Sequence, residues 1–75
     1  MKLPAVSGKE AIRALKKAGF VVVRQRGSHV RLEKEAGGDI IKVTVPLHNP
    51  MKKGTLCRII KDARLNTDEF IDLLR

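Results

Sequence analysis

The apolar positions of this chain repeat with two different periods. From Ser7 to about residue 18, Ile12 and Leu15, with Ala11 and Ala18 beside them, follow the three-to-four spacing of a helix. Ser7-Gly8-Lys9-Glu10 has the form of a capping box. The serine hydroxyl accepts from the third helical amide and the glutamate returns to the serine amide. Gly19 stands where a left-handed C-terminal cap belongs. The period then falls to two. Residues 20–26, 29–34 and 40–45 are rich in β-branched side chains and predict three strands. Glu35-Ala36-Gly37-Gly38-Asp39 reads as the loop between the last two, and Pro46 ends the third. Residues 47–53 form another loop. The helical period returns in Leu56, Ile59, Ile60 and Ala63, on a second helix that follows Gly54-Thr55 and runs to about residue 64. Asn66 or Thr67 caps a last short helix, with Asp68 and Glu69 favoured in its first turn and Phe70, Leu73 and Leu74 facing inward. Residues 2–6 are an extended lead-in.

The order is α-β-β-β-α with a terminal helical turn. It predicts an α+β fold, a three-stranded antiparallel sheet with helices on one face. At 75 residues the chain is expected to be one domain, 1–75.

The tightest turn is Gly27-Ser28, which reads as the two-residue loop of a hairpin of type II′ or I′. The register then sets Arg26 against His29, Arg24 against Arg31 and Val23 against Leu32. Side chains alternate across a strand. Val21, Val23, Val30 and Leu32 therefore share an apolar face with Ile41, Val43 and Val45. Arg24, Arg26, His29 and Arg31 share the other with Lys42 and Thr44.

Charge sharpens that picture. The net charge is +8, which for so short a chain points to a polyanionic partner, nucleic acid or an acidic protein. Trp and Tyr are absent and Phe occurs twice, so no platform for stacking bases is available. Cys57 is the one cysteine, which excludes an intrachain disulfide and a cysteine-built metal site. It lies on the margin of the second apolar stripe and is expected to be partly buried. The acids are not clustered in ligand spacing near either histidine, and no metal or other cofactor is expected. No apolar run has membrane-spanning length, and Met1-Lys2-Leu3-Pro4 leads into no signal-peptide core. A cytoplasmic protein is expected.

A histidine among arginines suits RNA cleavage. A base removes the proton of a ribose 2′-OH, that oxygen attacks the adjacent phosphorus, and an acid protonates the departing 5′-oxygen. Imidazole serves either step near neutral pH, and guanidinium groups hold the phosphate. The same residues are open to a plainer reading. His29 can be a polar surface residue and the arginines a face that only binds. His48 can be a second acid-base group, an RNA contact or a loop residue bonded to backbone. Ser28 is a turn former rather than a nucleophile, since no carboxylate relay accompanies it. Lys52 and Lys53 precede a helix N-terminus, where the dipole disfavours cations; this placement points to anion contact, and a solvated charge pair is the plainer reading.

Several pieces in order carry a family resemblance. They are Ser7-Gly8-Lys9-Glu10, Leu15-Lys16-Lys17-Ala18-Gly19-Phe20, Arg24-Gln25-Arg26-Gly27-Ser28-His29, Val45-Pro46-Leu47-His48, Gly54-Thr55-Leu56 and Glu69-Phe70. Together they resemble the HicA toxins, small mRNA interferases of toxin–antitoxin pairs. The resemblance implies a fold similar to a double-stranded-RNA-binding domain and a catalytic histidine in Gly27-Ser28-His29. It also implies a HicB-type antitoxin that covers the active face.

The leading expectation is therefore a metal-independent RNA endonuclease with His29 as general acid/base. Arg24, Arg26, Ser28, Arg31 and Lys42 are its candidate RNA-binding residues. His48, Lys52 and Lys53 are candidate contacts to RNA or antitoxin. The alternatives are an RNA-binding module that grips phosphates on the same face without hydrolysis, and a protein-interaction domain that meets an acidic partner.

Overall fold

A computed structural model describes residues 3–75; Met1 and Lys2, the latter opening the lead-in, lie outside the described residues. The elements are α1 (Gly8–Lys17), β1 (Val21–Arg26), β2 (His29–Ala36), β3 (Asp39–Pro46), α2 (Lys53–Asp62) and α3 (Thr67–Leu73). The strands form one antiparallel sheet in the order β1-β2-β3. The α-β-β-β-α order and the α+β class are those the periodicities predict.

Local chemistry sets the helix ends. The Glu10 amide donates to the Ser7 hydroxyl at 3.2 Å, and the Ser7 amide donates to the Glu10 carboxylate at 3.1 Å. Val6 and Ala11, buried on either side of this box, occupy the positions of a hydrophobic staple. Asn66 and Glu69 repeat the box at α3. At the other end of α1, the amides of Gly19 and Phe20 donate back to Lys16 and Leu15, a Schellman closure. The amides of Arg64 and Leu65 close α2 in the same way, with Arg64 at φ 59°.

The strands differ from expectation in two respects. β2 and β3 are longer, because Gly37 and Gly38, at φ 57° and 87°, make the whole turn. The ladder therefore zips to Glu35↔Ile40 and Ala36↔Asp39. The second difference corrects the apolar face. A bulge lies between Val22 and Arg24, so that Val22, not Val23, opposes Leu32, and Val21 opposes Glu33. The extra residue reverses the parity of everything before it. Val21, Val22 and Val23 are 63%, 38% and 50% exposed, so the expected contribution of Val21 and Val23 to the core is not made. Beyond the bulge, the expected pairs Arg24↔Arg31 and Arg26↔His29 stand.

The sheet's share of the core comes from Val30, Leu32, Ile41, Val43 and Val45. Leu15, Leu56, Ile59, Ile60 and Phe70 pack on them from the helices. Cys57 is exposed, a correction to its expected packing. One helical step of about 100° past Leu56 carries it off the stripe.

The segment after β3 is tied down by backbone bonds. The Leu47 amide donates to the Ser28 carbonyl at 2.7 Å, the Gly8 amide to the His48 carbonyl at 2.9 Å, and the Met51 amide to the Val6 carbonyl at 2.9 Å. Gly8 is buried at this crossing. A β-carbon there would lie 2.8 Å from the Leu47 Cα and nearer still to the Pro46 carbonyl oxygen.

These contacts set three expected outcomes. Gly8→Ala should destabilise the protein by roughly 1–3 kcal/mol through overpacking, read by chemical denaturation. A variant as stable as the parent would contradict the close approach. Ser7→Ala should cost about 1 kcal/mol as a lost cap. The Ser7 amide, then its hydroxyl, hold the Glu10 carboxyl below its ordinary value, with Arg13 adding a smaller pull. A depressed carboxylate stabilises the fold above its unfolded pKa and loses that contribution as pH falls through its folded pKa. Thermal unfolding of Glu10→Gln should therefore lack part of the parent's acid-side decline.

Candidate functional site

Gly27 has φ 59° while Ser28 does not share the left-handed region, which makes the hairpin loop type II′. A β-carbon at Gly27 would meet no neighbour within 4 Å, so the requirement for glycine is one of backbone angle. This turn makes His29 the first residue of the central strand. It pairs with Arg26 on one side and Pro46 on the other. The next row on the same face is Arg24, Arg31 and Thr44. These two rows form an open depression of about 190 Å³, lined by Arg24, Arg26, His29, Arg31 and Thr44.

A larger groove of about 600 Å³ shares His29, Arg31 and Thr44 and continues towards α2. It adds Lys42 from β3, His48 and Lys52 from the following loop, and Thr55, Arg58 and Asp62 from α2. His48 follows β3 closely, two residues beyond the partner of His29. Its carbonyl is held by Gly8 and its side chain is exposed.

The face is electrostatically unbalanced. Like charges directly opposite one another in a sheet repel, and Arg24 opposes Arg31. Among the described residues no ion pair engages Arg24, Arg26 or Arg31; Arg58 approaches Asp62 at 3.9 Å on α2. The first turn of α2 holds no acid and Lys52 provides no side-chain cap, so its amides keep their positive partial charge. Such a surface carries a positive potential that attracts anions. No three His, Cys, Asp or Glu side chains gather in metal-binding proximity among the described residues.

The structure thus brings together His29, Arg24, Arg26, Arg31, Lys42, His48 and Lys52 of the residues singled out in the sequence. It leaves two aside. Ser28 is in the turn, where its carbonyl extends the ladder to Leu47, and it lines neither depression. Lys53, the first residue of α2, lines neither. Thr55, Arg58 and Asp62 were not foreseen. Their spacing places them on one helical face beside the buried stripe, a pattern that an ordinary solvated face shares.

A family model described as HicA toxin of bacterial toxin-antitoxin matches residues 8–65, from α1 through the turn that closes α2. The chain belongs to the HicA toxin family. A search of curated proteins finds no match. As a HicA toxin, the chain has an antitoxin as its partner. The matched span contains every residue of the two depressions, and α3 lies beyond it. No helix among the described residues is long and apolar enough to cross a membrane.

Relieving the Arg24↔Arg31 opposition should stabilise the free toxin. Arg24→Thr, which keeps a β-favouring side chain, is expected to raise stability by roughly 0.5 kcal/mol at low salt. Added salt should erase the gain by screening. Denaturation curves at two ionic strengths check this, and a loss of stability at low salt would contradict it.

Proposed function

We propose that this HicA toxin is a metal-independent RNA endonuclease, an mRNA interferase, with His29 as general acid/base. The observation that carries the reading is that His29 lines one solvent-open depression with Arg24, Arg26 and Arg31. Imidazole exchanges protons near neutral pH, and guanidinium groups bind phosphate through paired N–H donors. RNA brings its own nucleophile, so the protein need supply none. His29 removes the proton of a ribose 2′-OH. The 2′-oxygen bonds to phosphorus, the bond to the 5′-oxygen breaks, and a 2′,3′-cyclic phosphate and a 5′-OH end result. The arginines stabilise charge gathering on the phosphoryl oxygens. Lys42 and Lys52, further along the groove, would follow the RNA backbone.

The antitoxin is of the HicB type and would act by covering this face. An acidic surface opposite Arg24 and Arg31 would relieve the repulsion that the free toxin carries. The substrate places the activity in the cytoplasm.

The test is RNA cleavage by purified protein in the presence of chelator, parent against His29→Ala. His29 is an exposed strand residue, so its truncation should leave the fold intact. The parent should cleave, and the variant should lose roughly 10²- to 10⁴-fold in rate, the usual worth of a general acid or base. A folded variant that cleaves like the parent would contradict the role of His29. A folded parent that binds RNA with steep salt dependence and leaves it intact would favour the binding-only module.

A further inference from the structure

His29 takes one proton in the proposed reaction, and a second proton must reach the departing 5′-oxygen. The groove contains few groups able to supply it. Guanidinium does not give up a proton in proteins, and an ammonium group is a weak acid. A carboxylate accepts a proton and has none to give. Imidazole is the remaining chemistry, and the groove holds a second one. His48 lines the same groove as His29.

The backbone fixes this juxtaposition. His29 pairs with Pro46 across the sheet, and the Leu47 amide donates to the Ser28 carbonyl, so the ladder continues past that pair. His48 comes next, with its carbonyl bound to the amide of buried Gly8. Its ring is therefore carried on an anchored segment while remaining exposed to solvent and ligand.

We propose that His48 is the general acid of the reaction, and that the two histidines divide its proton transfers across one phosphate. This rests on the endonuclease reading above. His29 accepts the proton from the 2′-oxygen as that oxygen bonds to phosphorus. His48 delivers a proton to the 5′-oxygen as its bond to phosphorus breaks. His29 ends protonated and His48 neutral, and exchange with water restores both. The environment of each ring assigns the roles. The three arginines around His29 stabilise the alkoxide character that develops on the attacking oxygen. Asp62 lines the groove that holds His48, and a carboxylate there favours a departing oxygen that leaves protonated.

A substrate with sulfur in place of the scissile 5′-oxygen tests this directly, because a thiolate leaves without being protonated. Purified full-length parent, His48→Ala, His48→Gln and His29→Ala would be assayed on ordinary RNA and on the 5′-thio RNA, with circular dichroism confirming the fold. Both His48 variants should lose roughly 10²- to 10⁴-fold on ordinary RNA and less than about tenfold on the 5′-thio RNA, while His29→Ala stays slow on both. The proposal is overturned if either His48 variant cleaves ordinary RNA within about tenfold of the parent, since removing a general acid costs more than that. It is equally overturned if the loss persists on the 5′-thio RNA, or if His29→Ala is the variant rescued. Those outcomes leave the endonuclease reading standing. A folded parent that cleaves neither substrate would overturn both.

Discussion

The direction of one side chain depends on a turn of two residues. Gly27 adopts a positive φ, the hairpin closes with no slack, and His29 starts the central strand facing away from the core. A shift of a single residue would send the ring to the opposite face and bring Val30 out to solvent. The burial of Val30 and Leu32 opposes that slip, because the core accepts only one parity of β2. The apolar interior thus fixes the polar face without touching it.

Among the described residues, no ion pair compensates the arginines of that face. Arg24 and Arg31 stand opposite each other, with Arg26 and His29 in the adjoining row. A fold selected for stability alone would place an acid or a threonine in one of these positions. The repulsion makes sense where the face exists to meet phosphate or an acidic partner, as the proposed endonuclease activity and a covering antitoxin would require. The helices contribute from the side. α2 buries Leu56, Ile59 and Ile60 and turns Thr55, Arg58 and Asp62 to the groove, so one element serves the core and the site together.

Much of this was legible in the residues. Ser7 with Glu10 gave the start of α1, and Gly27-Ser28 gave the register from Arg26↔His29 to Arg24↔Arg31. The bulge in β1 was not legible, for a physical reason. Val21, Val22 and Val23 are identical side chains, so no alternation marks where the parity changes. β1 is also an edge strand with exposed valines, and burial does not enforce its register as it does for β2. The close packing at Gly8 was hidden because a glycine in the first turn of a helix looks like tolerance rather than contact. The groove residues of α2 were hidden because Arg and Asp four apart read as a solvent-facing pair. His48 stood open between three roles, since nothing in the order of residues says that the loop after β3 returns to the strand carrying His29.

The central claim is that the outer face of the sheet, centred on His29, is where RNA is engaged. Its most direct test is an NMR titration of the full chain with RNA made uncleavable by 2′-deoxy substitution at the scissile ribose. The account predicts that the imidazole resonances of His29 and the amides of β1, β2 and the segment around His48 shift together, while α1 and α3 stay unmoved. Shifts confined to the helical layer, with the His29 ring unperturbed at saturation, would contradict it.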